Sequence, residues 1–358
     1  MANVNGLVRT TLIMLSLALT AASLIPLIPT EWWAVRLLDF PRLPFAAALA
    51  MVGLCLAPVL RTAPRAVGSF LALAVAAFLV NAVILWPYRP TGATQPDTCP
   101  EERRLSVLVA NVQLGNREAE PLIEAVERAK PDLLLALETD AWWDGVLRSR
   151  LGSMPHTLQR ITGSYYGIHL FSRLPLVNGE IRQLAGQDTP AVVTGITLRS
   201  GEVVTFVGLH PKPPQLWRSA RGRDAELYAA AEVLRERTGL GLLAGDLNAT
   251  PWELAVERTK RLTGLIDPRR GYGYVATWNA KSSWMRWPLD HVLHDGKFAT
   301  IAIERLEAFG SDHFPYLVSL CREPDASKST RGQPNAADIE AANAVLAEAG
   351  ATERIEWR

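Results

Sequence analysis

Gly241-Leu242-Leu243-Ala244-Gly245-Asp246-Leu247-Asn248-Ala249-Thr250-Pro251 is a short apolar run that stops on an acid and an amide. A brief apolar run bounded by turn formers reads as a strand buried on both faces. Gly, Asp and Asn also favour ordinary turns, so the stretch gains meaning from its counterparts elsewhere in the chain. Residues 105–110 run apolar into Asn111, 133–137 into Glu138 and 203–209 into His210. Pro288-Leu289-Asp290-His291 precedes an apolar pair, and Gly310-Ser311-Asp312-His313 precedes a strand over 316–320.

Outward from these tips, strands are expected at 168–171 and 192–198 and helices at 118–130, where Pro131 stops the run, and at 223–237. Short strands interleaved with amphipathic helices predict an α/β fold with many strands. The polar stretch 323–335 reads as disordered, and 336–349 as an Ala-rich helix with a thin apolar face.

Carboxylates, amides and imidazoles thus recur at the ends of buried strands. Each alone has an ordinary explanation: Asn111 as a strand terminator, Glu138 or Asp312 as a helix cap, His210 as a lone histidine. Together they predict a concave site with several acids. An ionised carboxylate is costly there unless it is paired, hydrogen-bonded or on a metal, and such a set suits a divalent cation with oxygen ligands.

Six motifs recur in order: Ala110-Asn111, Leu137-Glu138-Thr139, Gly208-Leu209-His210, Gly245 to Pro251, Leu289-Asp290-His291 and Gly310-Ser311-Asp312-His313-Phe314-Pro315. The set resembles the endonuclease/exonuclease/phosphatase (DNase I-like) superfamily over about residues 103–322. Ser172-Arg173-Leu174-Pro175 matches a structural turn of that family. The His210–Pro214 and Trp287–His291 segments, behind three apolar helices, are similar to its bacterial membrane-bound branch. The resemblance implies an α/β, DNase I-like four-layer sandwich, two packed mixed sheets flanked by helices, preceded by three transmembrane helices.

It also implies metal-assisted hydrolysis of a phosphate ester. Glu138 is expected to be the main ligand of Mg²⁺ (or Mn²⁺), with Asn111 and Asp312 near it, directly or through water. Asp246 would orient and deprotonate the attacking water, and Asn248 would hold that water or a phosphate oxygen. Asp290 would fix the imidazole of His313, and His313 and His210 would stabilise charge on the phosphoryl oxygens. His291 is expected to be structural and His169 a packed core histidine; His156 and His294 receive no role.

The front of the chain differs in kind. Windows 10–30, 43–60 and 66–88 contain no charged residue, and each has about the length of a membrane-crossing helix. A cleaved leader ending near Ala21-Ala22-Ser23 is the competing reading of the first window, though the run is long for one. The expected organisation is a membrane domain over 1–88, a linker over 89–103, a catalytic domain over 104–322 and a polar tail with a short helix over 323–358. Arg9 and the Arg61–Arg65 turn on one side, against two Arg and two acids in 31–42, orient the N-terminus to the cytoplasm. They set the catalytic domain on the periplasmic side of the inner membrane.

Six basic and two acidic residues precede position 96, leaving 31 basic against 34 acidic, about −3, for the rest. Non-specific nucleic-acid affinity comes from Lys and Arg on phosphates, so a DNase-like nuclease is the weaker alternative. Arg218, Arg221 and Arg223 form either a phosphate-reading patch or a solvated helix face. Trp278, Trp284 and Trp287 could line an apolar entrance facing the lipid bilayer or fill the core. The favoured substrate is a phosphate ester on a polyprenyl or phospholipid carrier; an inactive, membrane-bound binding module is the non-enzyme alternative. Cys55 sits mid-window. Cys99 and Cys321 fall at the pole far from the site, as a clamping disulfide or as two free thiols.

Overall fold

The computed structural model describes residues 2–61, 64–92, 99–186, 188–323 and 333–350. Residues 93–98 of the expected linker, 62–63 of the Arg61–Arg65 turn and 324–332 of the stretch read as disordered lie outside the described residues. The chain divides into two compact units, Met1–Arg89 with Gln215–Ser219, and Pro90–Pro214 with Ala220–Arg358.

The first unit contains α1 (Ala2–Leu24), α2 (Trp33–Leu37), α3 (Arg42–Leu56) and α4 (Pro64–Leu85). Three spans, Gly6–Leu27, Arg42–Leu60 and Val67–Tyr88, are long and apolar enough to cross a membrane. The first begins before the charge-free window because a helix end carries Arg9 without breaking. Large apolar side chains such as Met14, Met51, Leu54 and Val83 face outward, while Ser16, Ser23 and Asn81 are buried between the helices. The Ser16 hydroxyl donates to the Phe70 carbonyl at 3.2 Å. This inverts the pattern of a water-soluble bundle and matches helices that associate through small and polar residues in lipid. Cys55 is exposed on α3.

The second unit opens with β1 (Arg104–Asn111), α5 (Glu120–Ala129), β2 (Leu133–Leu137) and α6 (Ala141–Arg150). Asp140, not Glu138, caps α6, its carboxylate accepting from Trp143 N. The antiparallel strands β3 (His156–Arg160), β4 (Ile168–Ser172), β5 (Leu176–Arg182) and β6 (Ala191–Thr197) follow. Then come β7 (Val203–Leu209), α7 (Arg221–Arg235), β8 (Leu240–Asp246) and α8 (Leu254–Thr263). The chain closes with β9 (Asp290–His294), β10 (Phe298–Arg305), β11 (Tyr316–Arg322) and α9 (Ala336–Glu348).

These strands form a six-stranded sheet, ordered β10-β11-β1-β2-β4-β3, and a five-stranded sheet, ordered β5-β6-β7-β8-β9. Strand period 2 divides their apolar residues between cores. Leu105, Val107, Val109, Leu133, Leu135, Leu242 and Ala244 meet between the sheets. Leu108, Ala110, Leu134 and Ala136 turn the other way, onto α5 and α6. Val207, Leu209 and Leu243 bury against α7, α8 and α9. Two mixed sheets flanked by helices make the DNase I-like fold. The tail helix α9 is docked, with Ala342, Val345 and Leu346 in the core and Asp338 gripped by Arg261 at 2.7 and 2.8 Å.

At one pole β1 and β11 pair antiparallel with Arg104 opposite Cys321. Cys99, five residues upstream of Arg104, is joined to Cys321 in a disulfide.

Candidate active site

Strand register delivers the polar residues to the opposite pole. In the first sheet β1 and β2 run parallel with Asn111 beside Leu137, so Asn111 and Glu138 emerge together. The antiparallel β11 starts at that end, with Val109 opposite Tyr316, which brings Asp312 and His313 alongside. In the second sheet parallel β7 and β8 pair Leu209 with Gly245, and antiparallel β9 sets Asp290 opposite Asp246. His210, Asp246 and Asp290 therefore share one edge. Gly245 is required there: at φ +145°, an added Cβ would lie 1.8 Å from the Leu209 carbonyl oxygen. Glu138 and Asn248 are non-glycine residues with φ of 61° and 50°, left-handed conformations that cluster at functional sites where the surroundings hold them.

The Asn111 amide joins the two sheets. Its Nδ2 donates to Glu138 Oε1 at 3.0 Å and to Asp246 Oδ2 at 3.1 Å, and its Oδ1 accepts from Gln113 N at 3.0 Å. Glu138 Oε2 accepts from Leu114 N at 3.0 Å. The Ser311 hydroxyl donates to the Asn111 carbonyl at 2.7 Å and accepts from His313 N at 3.0 Å, tying the two segments together.

His313 lies between two carboxylates, its Nδ1 2.8 Å from Asp290 Oδ2 and its Nε2 3.4 Å from Asp246 Oδ2. Burial alone would lower its pKa, but Asp290 and Asp246 together outweigh burial and push it up to about 10. Both acids thus favour its protonated form. The Asp246 carboxyl is raised, chiefly by burial, against the lowering pull of His313. His210 Nε2 is 3.6 Å from Asp246 Oδ2. Asn248 N donates to Asp246 Oδ1 at 3.0 Å, and Asn248 Nδ2 holds the Pro211 carbonyl at 3.0 Å.

Asp312 stands slightly apart. Its Oδ2 accepts from the Trp278 indole N–H at 3.0 Å, and its carbonyl accepts from Ala280 N at 2.7 Å. The neighbouring Thr277 hydroxyl accepts from Leu289 N and Asp290 N at 3.2 and 3.1 Å. The 277–287 loop therefore aligns Asp290 with Asp312. The three tryptophans named from the sequence have three fates: Trp278 holds Asp312, Trp287 is buried and Trp284 is exposed.

His291 is fully buried, its Nδ1 2.7 Å from an Arg269 nitrogen and its Nε2 2.8 Å from the Ala249 carbonyl. Burial first, then Arg269, holds its pKa well below the ordinary value. A neutral ring accepting at Nδ1 and donating at Nε2 satisfies both bonds. His169 is buried and stacked on Phe171. Nothing in the positions of Ser311, Thr277 or Arg269 along the chain singles them out; Ser311 lies inside a recognised motif without announcing which backbone it binds.

By distance alone, Asp246, Asp290 and His313 could converge on a metal among the described residues. His313 Nδ1 is already held by Asp290 at 2.8 Å, an arrangement that also makes these three a carboxylate–imidazole–carboxylate chain. Glu138, Asp312 and Asn111 also offer oxygens of the kind a hard cation takes. Their surroundings fit one. Among the described residues no Lys or Arg pairs with Glu138, Asp246, Asp290 or Asp312, and Asp290 Oδ1 and His210 Nδ1 are buried without a hydrogen-bond partner.

Two sheets whose converging tips carry acids, an amide and imidazoles suit phosphate-ester hydrolysis, and the family match makes the class that of the phosphoric ester hydrolases. A model of the Endonuclease/Exonuclease/phosphatase family matches residues 108–313, more than half of the chain, and the chain belongs to that family. No curated protein matches it in sequence. Among solved structures it is similar to humanized TDP2 of D. rerio carrying 14 mutations, at 16% identity and a TM-score of 0.53, covering 61% of this chain and 99% of that one. D. rerio TDP2 complexed with a single-strand DNA product matches at 17% identity and a TM-score of 0.52, covering 61% and 98%. A conserved protein of unknown function from Enterococcus faecalis V583 matches at 14% identity and 0.51, covering 61% and 100%. At these identities the likeness is one of fold.

Proposed function

We propose that this chain is a membrane-anchored, divalent-metal-dependent phosphoesterase acting outside the cytoplasm on a lipid-linked phosphate or diphosphate. The observation that carries the reading is the Asn111 bridge between Glu138 and Asp246, which unites the tips of both sheets around acids that no Lys or Arg among the described residues pairs. Glu138, with Asp312 and Asn111 directly or through water, would hold Mg²⁺ or Mn²⁺. Bound there, the ion would neutralise charge on the phosphoryl oxygens.

Asp246 takes the proton of the attacking water; burial makes its carboxylate a stronger base than an exposed one. Asn248, anchored to Asp246 and Pro211, steadies the water or a phosphoryl oxygen. Asp290 fixes the orientation of His313, and the imidazolium offers positive charge to the developing phosphoryl oxygens alongside His210. Positioning and charge, rather than a covalent intermediate, do the chemistry.

The three apolar spans support anchoring. Exposed Tyr165, Trp284 and Met285 on loops beside the site support an amphiphilic substrate. The Cys99–Cys321 disulfide supports a site outside the cytoplasm, where such bonds persist. The single-strand DNA product bound in the D. rerio TDP2 complex belongs to that protein; here the net charge of about −3 beyond residue 95 disfavours a polyanion. The deciding experiment gives the full chain, in detergent with Mg²⁺, a prenyl diphosphate and plasmid DNA in parallel. Metal-dependent phosphate release from the lipid, abolished by chelation, is expected. Nicking of the plasmid with no lipid turnover would replace this reading with a nuclease, and inertness toward both would favour a binding module.

A further inference from the structure

Lys212 lies in the His210-Pro211-Lys212-Pro213-Pro214 segment, between prolines that fix its backbone. The Asn248 side chain anchors that segment through the Pro211 carbonyl at 3.0 Å. Lys212 Nζ sits 5.6 Å from the centre of the Tyr166 ring, and that ring lies 5.6 Å from the His210 ring. The three side chains form one continuous wall. Its base is rigid, because Gly167 presses onto the residue after Glu138: an added Cβ would stand 1.8 Å from the Thr139 carbonyl oxygen.

The ammonium on this wall is unbalanced. Lys212 is half-buried, yet it makes no hydrogen bond or ion pair with the described residues. An aromatic face compensates a partly desolvated ammonium by only about 0.5–2 kcal/mol, less than the worth of a paired anion. The acid whose field it feels is Glu226, which burial pushes up to about 8, leaving it largely uncharged at neutral pH. A lysine held beside the reacting imidazole, with its charge unanswered, is arranged to receive an anion from the substrate.

We propose that Lys212, seated on Tyr166, is a specificity-determining residue that takes the second phosphoryl group of a diphosphate ester, next to the one being hydrolysed. The inference rests on the phosphoesterase reading above and narrows its substrate. The water oxygen forms a bond to the terminal phosphorus as Asp246 accepts the water proton. The bond from that phosphorus to the bridging oxygen breaks, its electron pair staying on the bridging oxygen, which takes up a proton. Orthophosphate and the phosphate monoester leave, and Lys212 neutralises the monoester as it departs.

The test uses the full chain in detergent micelles with Mg²⁺ and compares farnesyl diphosphate with farnesyl phosphate for the parent, Lys212→Gln and Lys212→Arg. The parent should prefer the diphosphate. Lys212→Gln should lower kcat/KM for the diphosphate about tenfold more than for the monophosphate, mostly through KM, and Lys212→Arg should restore most of the difference. Calorimetric binding of inorganic pyrophosphate against orthophosphate, which needs no turnover, should show the same selective loss in Lys212→Gln. An unchanged preference in Lys212→Gln, in turnover and binding alike, overturns the subsite. If no ester is hydrolysed but Lys212→Gln still selectively weakens pyrophosphate, the subsite stands and the phosphoesterase reading falls.

Discussion

Both units bury charge, and they do so to opposite ends. In the helical unit Arg42 donates to Asp39 at 2.6 and 3.0 Å and to Asn81 Oδ1 and the Ser23 carbonyl at 3.3 Å. Arg36 pairs with Asp39 at 3.2 Å and donates to the Pro26 and Ile28 carbonyls. Cations there are answered by acceptors of the same unit, fixing loop to helix. At the strand tips of the α/β unit the acids outnumber their protein partners: one imidazole serves both Asp246 and Asp290, and Asp290 Oδ1 and His210 Nδ1 have no hydrogen-bond partner. Charged groups among apolar helices invite a functional reading, yet here both guanidiniums are answered by one acid of their own unit. Burial of charge does not mark a site; acids gathered at converging strand tips with no Lys or Arg to answer them do.

The sharpest way to break this comparison is to remove one acid from each cluster. Asp246→Asn should lower kcat by about 10²–10⁴-fold, the range for loss of a general base, while its denaturation midpoint holds or rises because a carboxylate among carboxylates is gone. Asp39→Ala should do the reverse, stranding two buried guanidiniums at a cost of about 3–5 kcal/mol, read as a fall in that midpoint. Equal destabilisation by both substitutions would show that the two clusters serve the same end.

A smaller effect sharpens the picture of the open cluster. Trp278→Phe keeps the ring but deletes the indole N–H on Asp312. One lost hydrogen bond to a carboxylate is worth about 1.5 kcal/mol, so kcat should fall roughly tenfold with KM little changed and the Mg²⁺ concentration for half-activity raised. An unchanged metal titration would show that Asp312 does not depend on Trp278 for its orientation.

How much of this was legible in the sequence follows from what periodicity can carry. Strands β1, β2, β7 and β8 announce themselves as apolar runs because both faces are buried, and their polar terminators are visible for the same reason. β3 and β10 are half-exposed edge strands with mixed composition, and α6 opens on two tryptophans and an acid; neither pattern stands out. Side-chain partnerships across loops leave no periodic trace. Trp278 and Asp312 are bonded across a separation of 34 residues, and Tyr166 and Lys212 meet only because two sheets stack. The candidate residues were readable as a set, whereas the direction of the Asn111 amide and the identity of the groups steering Asp290 and Asp312 needed the fold.

A third buried acid tests the rule from a different side. Glu226 on α7 is 2% exposed and accepts a hydrogen bond from the Thr189 hydroxyl. Burial raises its pKa from 4.5 to about 8, against the lowering effects of Thr189 and Lys212. Between those values the folded chain keeps a proton that the unfolded chain has released, so stability is highest below pH 4.5, falls as pH rises toward 8 and then levels. Other groups titrate over that range, so the measurable quantity is the difference between the parent and Glu226→Gln, whose amide stays neutral throughout. From pH 6 to 7 the parent should lose about 1 kcal/mol relative to the variant, followed by chemical denaturation at each pH. Parallel stability profiles would mean that Glu226 is ionised at neutral pH. It would then answer the charge of Lys212 from within the protein, and the catalytic wall would hold no spare cation.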